Sequence, residues 1–192
     1  MELAKKNGLK IPVVYNSNGY ESIEGLKVLE GLVDVYLPDF KYWNDELGLE
    51  YSKCPHYRET VAAAILEMRR QVGKDILDEN GLMKKGIIIR HLVLPGQYKD
   101  SFQVLDWIKE NMGEETFVSL MSQYTPMHKA KEIKALSRRL TTFEYDKVVD
   151  HFFKIGLKNG FMQKRSSATS EYTPTFDLSG VLDAESFIKR EE

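Results

Sequence analysis

The run Gly86-Ile87-Ile88-Ile89-Arg90-His91-Leu92-Val93-Leu94-Pro95-Gly96 restricts the fold of this chain more than any other feature. Its apolar residues, several β-branched, fill both alternating faces, with glycine before and Pro-Gly after. Such a run predicts a strand covered on both sides, as in a parallel sheet wrapped by helices. Alternation places Ile88, Arg90, Leu92 and Leu94 on one face, and Ile87, Ile89, His91 and Val93 on the other. A guanidinium never loses its charge, so Arg90 requires an anionic partner on its face. Two partners satisfy that requirement: a carboxylate of the chain itself, holding the core, or an anionic ligand.

The flanking sequence alternates in the same manner. Residues 2–8 read as the last turns of a helix stopped at Gly8. Ile11-Pro12-Val13-Val14-Tyr15 reads as a strand closed by the turn formers Asn16-Ser17-Asn18-Gly19. Residues 21–30 have helical spacing, residues 32–37 form a second strand, and a loop rich in Tyr, Trp and Asp follows. A helix over 58–72 stops at Gly73, and a polar turn at Glu79-Asn80-Gly81 leads into the central strand over 87–94. Then come a helix from Asp100-Ser101 to Asn111, a strand at 117–121, a helix at 142–156, a short strand at 160–163 and an arm over 164–192, whose residues 183–190 suit a terminal helical turn. Repeated strand–helix alternation with short connections predicts an α/β fold with a parallel sheet and right-handed crossovers. The pattern opens on a helix end with no strand before it.

The 192 residues are 42% hydrophobic and 29% charged, as in an ordinary soluble chain. A net charge of −2 gives no broad electrostatic footprint for nucleic acid or membrane. No run of about 18 apolar residues and no signal-peptide pattern occurs, which leads us to expect a cytoplasmic protein. The single cysteine, Cys54, excludes an internal disulfide and any multi-cysteine metal site within one chain.

The polar clusters fall at strand ends, the functional edge of α/β sheets. Asp39 and Lys41 lie two apart: Lys41 suits a ligand carboxylate, and Asp39 a cation or a ribose hydroxyl. A strand-end ion pair between them is the plain alternative, worth about 0–1 kcal/mol if exposed. Lys41 as a Schiff-base nucleophile of a lyase is a further one, and it requires a desolvated amine. The Pro95-Gly96 loop before Asp100-Ser101 offers amides to an anion or nucleotide, and Gln123, Tyr124 and Thr125 offer donors. Cys54-Pro55-His56 lacks the three or four ligands of a metal site. His128 and His151 read as surface or satisfied core residues. The aromatic residues Tyr36, Phe40, Tyr42, Trp43 and Tyr51 read as packing or as a wall for a ring.

Four of these strand ends, in order, resemble the radical S-adenosylmethionine proteins, in the branch of pyruvate formate-lyase activating enzyme-like members. They are Val14-Tyr15-Asn16-Ser17-Asn18-Gly19-Tyr20-Glu21-Ser22, Val35-Tyr36-Leu37-Pro38-Asp39-Phe40-Lys41-Tyr42-Trp43, Ile89-Arg90-His91-Leu92-Val93-Leu94-Pro95-Gly96 and Leu120-Met121-Ser122-Gln123-Tyr124. Asn159-Gly160-Phe161-Met162-Gln163 and Tyr172-Thr173-Pro174-Thr175-Phe176-Asp177-Leu178 resemble that branch's closing segment. The resemblance implies a partial (β/α) barrel over 1–163 with a C-terminal arm over 164–192. It implies S-adenosylmethionine contacts at Asn16, Ser17, Asn18, Asp39, Lys41, Arg90, Tyr124 and Thr125. In complete members a [4Fe–4S] cluster held by a CxxxCxxC loop reductively cleaves that cofactor, and the 5′-deoxyadenosyl radical abstracts hydrogen. In activating enzymes the hydrogen comes from a glycine of a glycyl-radical-type protein partner.

The departures are as informative. The CxxxCxxC loop and the glycine-rich motif that binds the cofactor's amino group are missing, Asn16 stands where the related enzyme has an acid, and Thr125 where it has a histidine. The resemblance implies that the chain matches the C-terminal two-thirds of such an enzyme, beginning before its third strand, and leads us to expect Met1 to be an internal or misassigned start. The expected function is therefore the cofactor- and substrate-side portion of a radical S-adenosylmethionine enzyme, inactive alone because one thiolate cannot hold the cluster. The alternative is an inert barrel remnant that binds a ligand or protein. Loss of the preceding strands leaves the first strand as a bare apolar edge, which predicts self-association or completion by a missing N-terminal portion.

Overall fold

A computed structural model describes residues 2–162. Helix α1 (Glu2–Lys6) precedes strand β1 (Val14–Ser17), helix α2 (Ile23–Val28) and strand β2 (Val35–Pro38). Helices α3 (Asp45–Ser52) and α4 (Tyr57–Val72) follow, then strands β3 (Ile76–Leu77) and β4 (Met83–Leu92). Helix α5 (Tyr98–Met112), strand β5 (Phe117–Met121), helix α6 (Thr142–Lys154) and strand β6 (Gly160–Met162) complete the order. The arm over 164–192 lies outside the described residues.

The sheet runs β1-β2-β4-β5-β6, every neighbouring pair parallel, so strand order in space repeats strand order in the chain. Right-handed crossovers between strands laid down in that order put every connecting helix on the same side. The expected α/β architecture with a parallel sheet is therefore present, in the singly wound arrangement that a partial barrel shares. Among the described residues β1 pairs with β2 along one side only, and Val14 is 53% exposed.

Two-sided cover of the central strand is not what the described residues form. Ile87, Ile89, His91 and Val93 are buried under the helices, with Val61, Ile65, Met68, Val104, Leu105 and Ile108 among the fully buried residues of that layer. Ile88, Arg90 and Leu92 are only half-buried, because the crossovers leave that face without helices. In register with them stand Leu37 on β2 and Phe117, Ser119 and Met121 on β5, while Phe161 of β6 lies beside Ser119. Phe117 and Phe161 stack on this face with ring centroids 6.0 Å apart.

Local chemistry explains most boundaries. Ser22 caps α2 by accepting from the Gly25 amide, and Asn44 caps α3 through Glu46. Thr141 and Glu144 form a reciprocal capping box at α6. Residues expected as a loop after Trp43 form α3, which Asn44 starts and which Lys53 ends in the left-handed conformation. Strand β4 begins before the expected residue 87, because Met83 and Lys85 pair antiparallel with β3 around the Gly81 turn. The first strand lies at Val14–Ser17 rather than 11–15, since the Val13 amide bonds the Asp34 carboxylate at 2.8 Å instead of a ladder partner. Among the described residues, no helix is long and apolar enough to cross a membrane.

Candidate functional site at the carboxyl ends of the strands

Asp39 follows β2 and bridges to Arg90 of β4 in parallel register. Its side chain is only 8% exposed and takes two cations. Arg90 Nε donates to Oδ1 at 2.7 Å, and Nη2 contacts the same oxygen. Lys41 Nζ stands 3.1 Å from Oδ2. The anionic partner demanded by Arg90 is thus a carboxylate of the chain. Arg90 and Lys41 remain 28% and 29% exposed at the side chain, and each has more N–H donors than its contact with Asp39 uses.

The backbone around this triad is fixed group by group. The Asp39 amide donates to the Ser17 carbonyl at 3.0 Å, and the Phe40 amide to the Arg90 carbonyl at 2.8 Å. The Lys41 amide donates to the Tyr57 hydroxyl oxygen at 3.0 Å. His91 Nδ1 lies 2.6 Å from the Phe40 carbonyl oxygen. A carbonyl only accepts, so Nδ1 carries the proton and Nε2 is a bare acceptor, buried without a partner among the described residues. Burial pushes the His91 imidazole down to about 4, against a smaller opposing pull from the Phe40 bond and Asp39.

Gly19 completes the scaffold from β1. It sits at φ +82°, and a Cβ there would lie 2.1 Å from the Asp39 carbonyl oxygen. Only glycine allows the turn after β1 to press so closely on the end of β2. Ser17 Oγ accepts from the Gly19 amide at 2.9 Å and donates to Glu21 Oε1 at 2.6 Å. Asn18 Oδ1 accepts from the Tyr20 amide at 3.0 Å, an Asx turn. Ser17 and Asn18 therefore shape the loop, while exposed Asn16 lies in register with Leu37 on the uncovered face.

Other expected contacts are spoken for. The Gly96 amide, read as an anion donor, gives its hydrogen bond to Glu144 Oε1 at 2.7 Å. The same carboxylate is gripped by Arg138 through two bonds of 2.7 and 2.8 Å and by Thr141. Arg138 first, then the Thr141 and Gly96 donors, hold the Glu144 carboxyl far below the usual carboxylate range despite its burial. An internal anion thus occupies the place offered to a ligand. Tyr124 donates its hydroxyl to the Leu136 carbonyl at 2.8 Å, and Thr125 is half-buried in the loop after β5. The Schiff-base reading of Lys41 meets an ion-paired, partly solvated ammonium, the opposite of the setting it requires.

Cys54 Sγ contacts the Ser52 carbonyl at 3.4 Å, and no group of three or more His, Cys, Asp or Glu with metal-site geometry exists among the described residues. A [4Fe–4S] cluster needs three thiolates, so the residues present do not fit it. His151 is satisfied, 2.7 Å from Asp106 and stacked on Phe102. The aromatic residues after β2 pack on one another: Tyr42 meets Tyr51 and Tyr57 edge-on, and Phe40 is fully buried. Asp100, expected only as the start of a helix, does more: its carboxylate accepts from the Trp43 and Asn44 amides at 2.8 Å each and ties α5 to the end of β2. Its place as an acid in the first turn of α5 was the available signal. Burial raises its pKa.

No family model matches the chain. It is similar to the "Uncharacterized protein MJ0674" of Methanocaldococcus jannaschii, 39% identical over 143 residues. That match covers 73% of this chain and 37% of the relative, so the chain spans little more than a third of the length of the curated relative it matches.

Proposed function

We propose that this chain is the cofactor- and substrate-side portion of a radical S-adenosylmethionine enzyme of the pyruvate formate-lyase activating enzyme-like kind. The observation that carries this reading is the Asp39–Arg90–Lys41 triad at the carboxyl ends of adjacent parallel strands, on the face left free of helices. Asp39 holds the two cations in position, and their remaining N–H groups suit the carboxylate of an amino-acid moiety. Asn16, exposed one strand away, suits a ribose hydroxyl. When bound, S-adenosylmethionine supplies the 5′-deoxyadenosyl group for hydrogen abstraction. That chemistry requires a reducing cluster, and this chain alone lacks the thiolates to hold one. The complete activity, a glycyl-radical-type protein partner and any N-terminal portion carrying the cluster belong to the same proposal.

Equilibrium binding of S-adenosylmethionine to the full chain tests it, with Arg90→Ala and Asp39→Ala as comparisons. One charge-assisted hydrogen bond is worth about 1.5–3 kcal/mol, so losing it weakens binding by roughly tenfold to a hundredfold. Saturable binding lost in both variants supports the reading. No binding, or binding indifferent to both substitutions, rejects it in favour of an inert remnant. That second reading draws on the same triad, in which the positive groups are already matched to an internal carboxylate.

A further inference from the structure

Charge is spread unevenly along this chain. The connection from β5 to α6, residues 122–141, holds Lys129, Lys131, Lys134, Arg138 and Arg139 against one acid, Glu132. Five cations against one acid leave it at +4, so within a total of −2 the rest of the chain carries −6. At 20 residues the connection is also far longer than the few that join most strands to helices, and loops of that length are usually functional. It leaves the carboxyl end of β5, the strand beside the one that carries Arg90, and so shares the rim of the sheet with the Asp39–Arg90–Lys41 triad.

The loop is a built frame. Leu136 is buried in the core, the Tyr124 hydroxyl bonds its carbonyl, and Arg138 grips Glu144. The Ala130 amide donates to the Met127 carbonyl at 3.0 Å, Ile133 to Ala130 at 3.3 Å and Leu136 to Ile133 at 2.8 Å, which winds the middle into successive turns. On this frame Lys129, Lys131 and Lys134 are exposed, and no ion pair involves them among the described residues. A fixed frame presents such cations to a partner with little of the ordering cost that a floppy loop incurs.

The kind of polyanion that fits follows from where the patch stops. A nucleic acid carries phosphates without interruption, and beyond this loop they would meet a chain of opposite balance. The exposed ring nearest in sequence, Phe143, is already engaged by Lys147 at 5.4 Å and by Tyr98 at 6.2 Å, and is a poor platform for a base. A short acidic stretch of polypeptide sets its carboxylates on the lysines and ends with the patch. We propose that the β5–α6 connection is a docking surface for an acidic segment of a partner protein, with Lys129, Lys131 and Lys134 as its contacts. Docking there depends on the charge of the loop and not on the ligand that the triad takes.

Fluorescence anisotropy of the full chain with a labelled peptide of alternating glutamate and alanine tests this, beside an oligouridylate of equal charge and with no S-adenosylmethionine present. The expected result is saturable peptide binding, weakened roughly tenfold or more when Lys129→Glu, Lys131→Glu and Lys134→Glu are combined, and weakened by salt. The same reversal at Lys27, Lys85 and Lys154, exposed elsewhere, leaves binding within about twofold. Equal losses in the two triple variants overturn the proposal, because net charge alone then accounts for binding. Absence of saturable peptide binding overturns it as well, and so does tighter binding of the oligouridylate, which assigns the loop to nucleic acid. With the cofactor absent from the assay, failure here leaves the reading of the triad standing, and failure of cofactor binding leaves this one.

Discussion

Acidification through the range just below neutrality acts on one group above all, the imidazole of His91. It is 1% exposed, donates from Nδ1 to the Phe40 carbonyl, and has an Nε2 with no partner among the described residues to accept a second proton. Burial lowers its pKa from 6.5 to about 4. The unfolded chain therefore binds a proton near pH 6.5 that the folded chain refuses until near pH 4. Between those values the unfolded state holds more protons, so stability rises with pH: it is complete above about 6.5 and is lost as pH falls toward 4. The full difference is about 3 kcal/mol, and the part lost between about pH 7.5 and 5 is about 2 kcal/mol. Glu67 and Glu114, held at about 2 by Arg70 and by Lys158 with Lys109, contribute stability that is lost only below the ordinary carboxylate range. Urea unfolding followed by circular dichroism across that interval measures the loss. His91→Gln keeps a donor for Phe40 without a titrating ring, so it removes the His91 share of the slope even if it lowers stability throughout. Equal slopes in the two proteins would refute the burial argument.

Other substitutions probe the strand ends. Arg90→Met leaves Asp39 with Lys41 alone and costs about 1–3 kcal/mol by thermal or urea unfolding, less than a fully buried pair because Arg90 is partly solvated. Gly19→Ala pushes a methyl group into the Asp39 carbonyl from a left-handed backbone, so it destabilises the fold by more than about 1 kcal/mol and shifts the NMR signals of Asp39 and Arg90. Glu144→Gln removes the anion shared by Arg138, Gly96 and Thr141, and a loss of about 1–3 kcal/mol is expected; no loss would show that the capping box alone suffices. Anaerobic reconstitution with iron and sulfide yields no chain-bound cluster by visible absorption, and a stable one would contradict the thiolate count.

The parallel strands were legible because β-branched runs bounded by Gly and Pro have few other uses, and β5 was read to the residue at Phe117–Met121, whereas the two-residue β3 was not read. The need of Arg90 for an anion was equally plain, because its charge cannot be removed. Which anion answered it was not, since Asp39 is 51 residues away and only the β2–β4 register brings the two together. The one-sided cover escaped notice for a related reason. Ile88 and Leu92 are as apolar as Ile87 and Ile89, and composition cannot say on which side the crossovers pass. Helix α3 hid among aromatic and acidic residues with weak periodicity, and its beginning depends on the Asn44 side chain. That the Gly96 amide meets an anion was legible, but not which one, because Glu144 arrives from a helix 48 residues downstream.

Strand order in space that repeats strand order in the chain has a kinetic consequence. Each new parallel strand, as it leaves the ribosome, finds its partner already made and waiting at the growing edge. The longest wait is between Val35 and its partner Gly86, and α3, α4 and the β3 turn fill that interval. No parallel pair among the described residues waits longer than that, so the entropic cost of closing the sheet is kept small. A polypeptide of this design can assemble stave by stave during translation, and it can be lengthened at either flank without rethreading what has already formed.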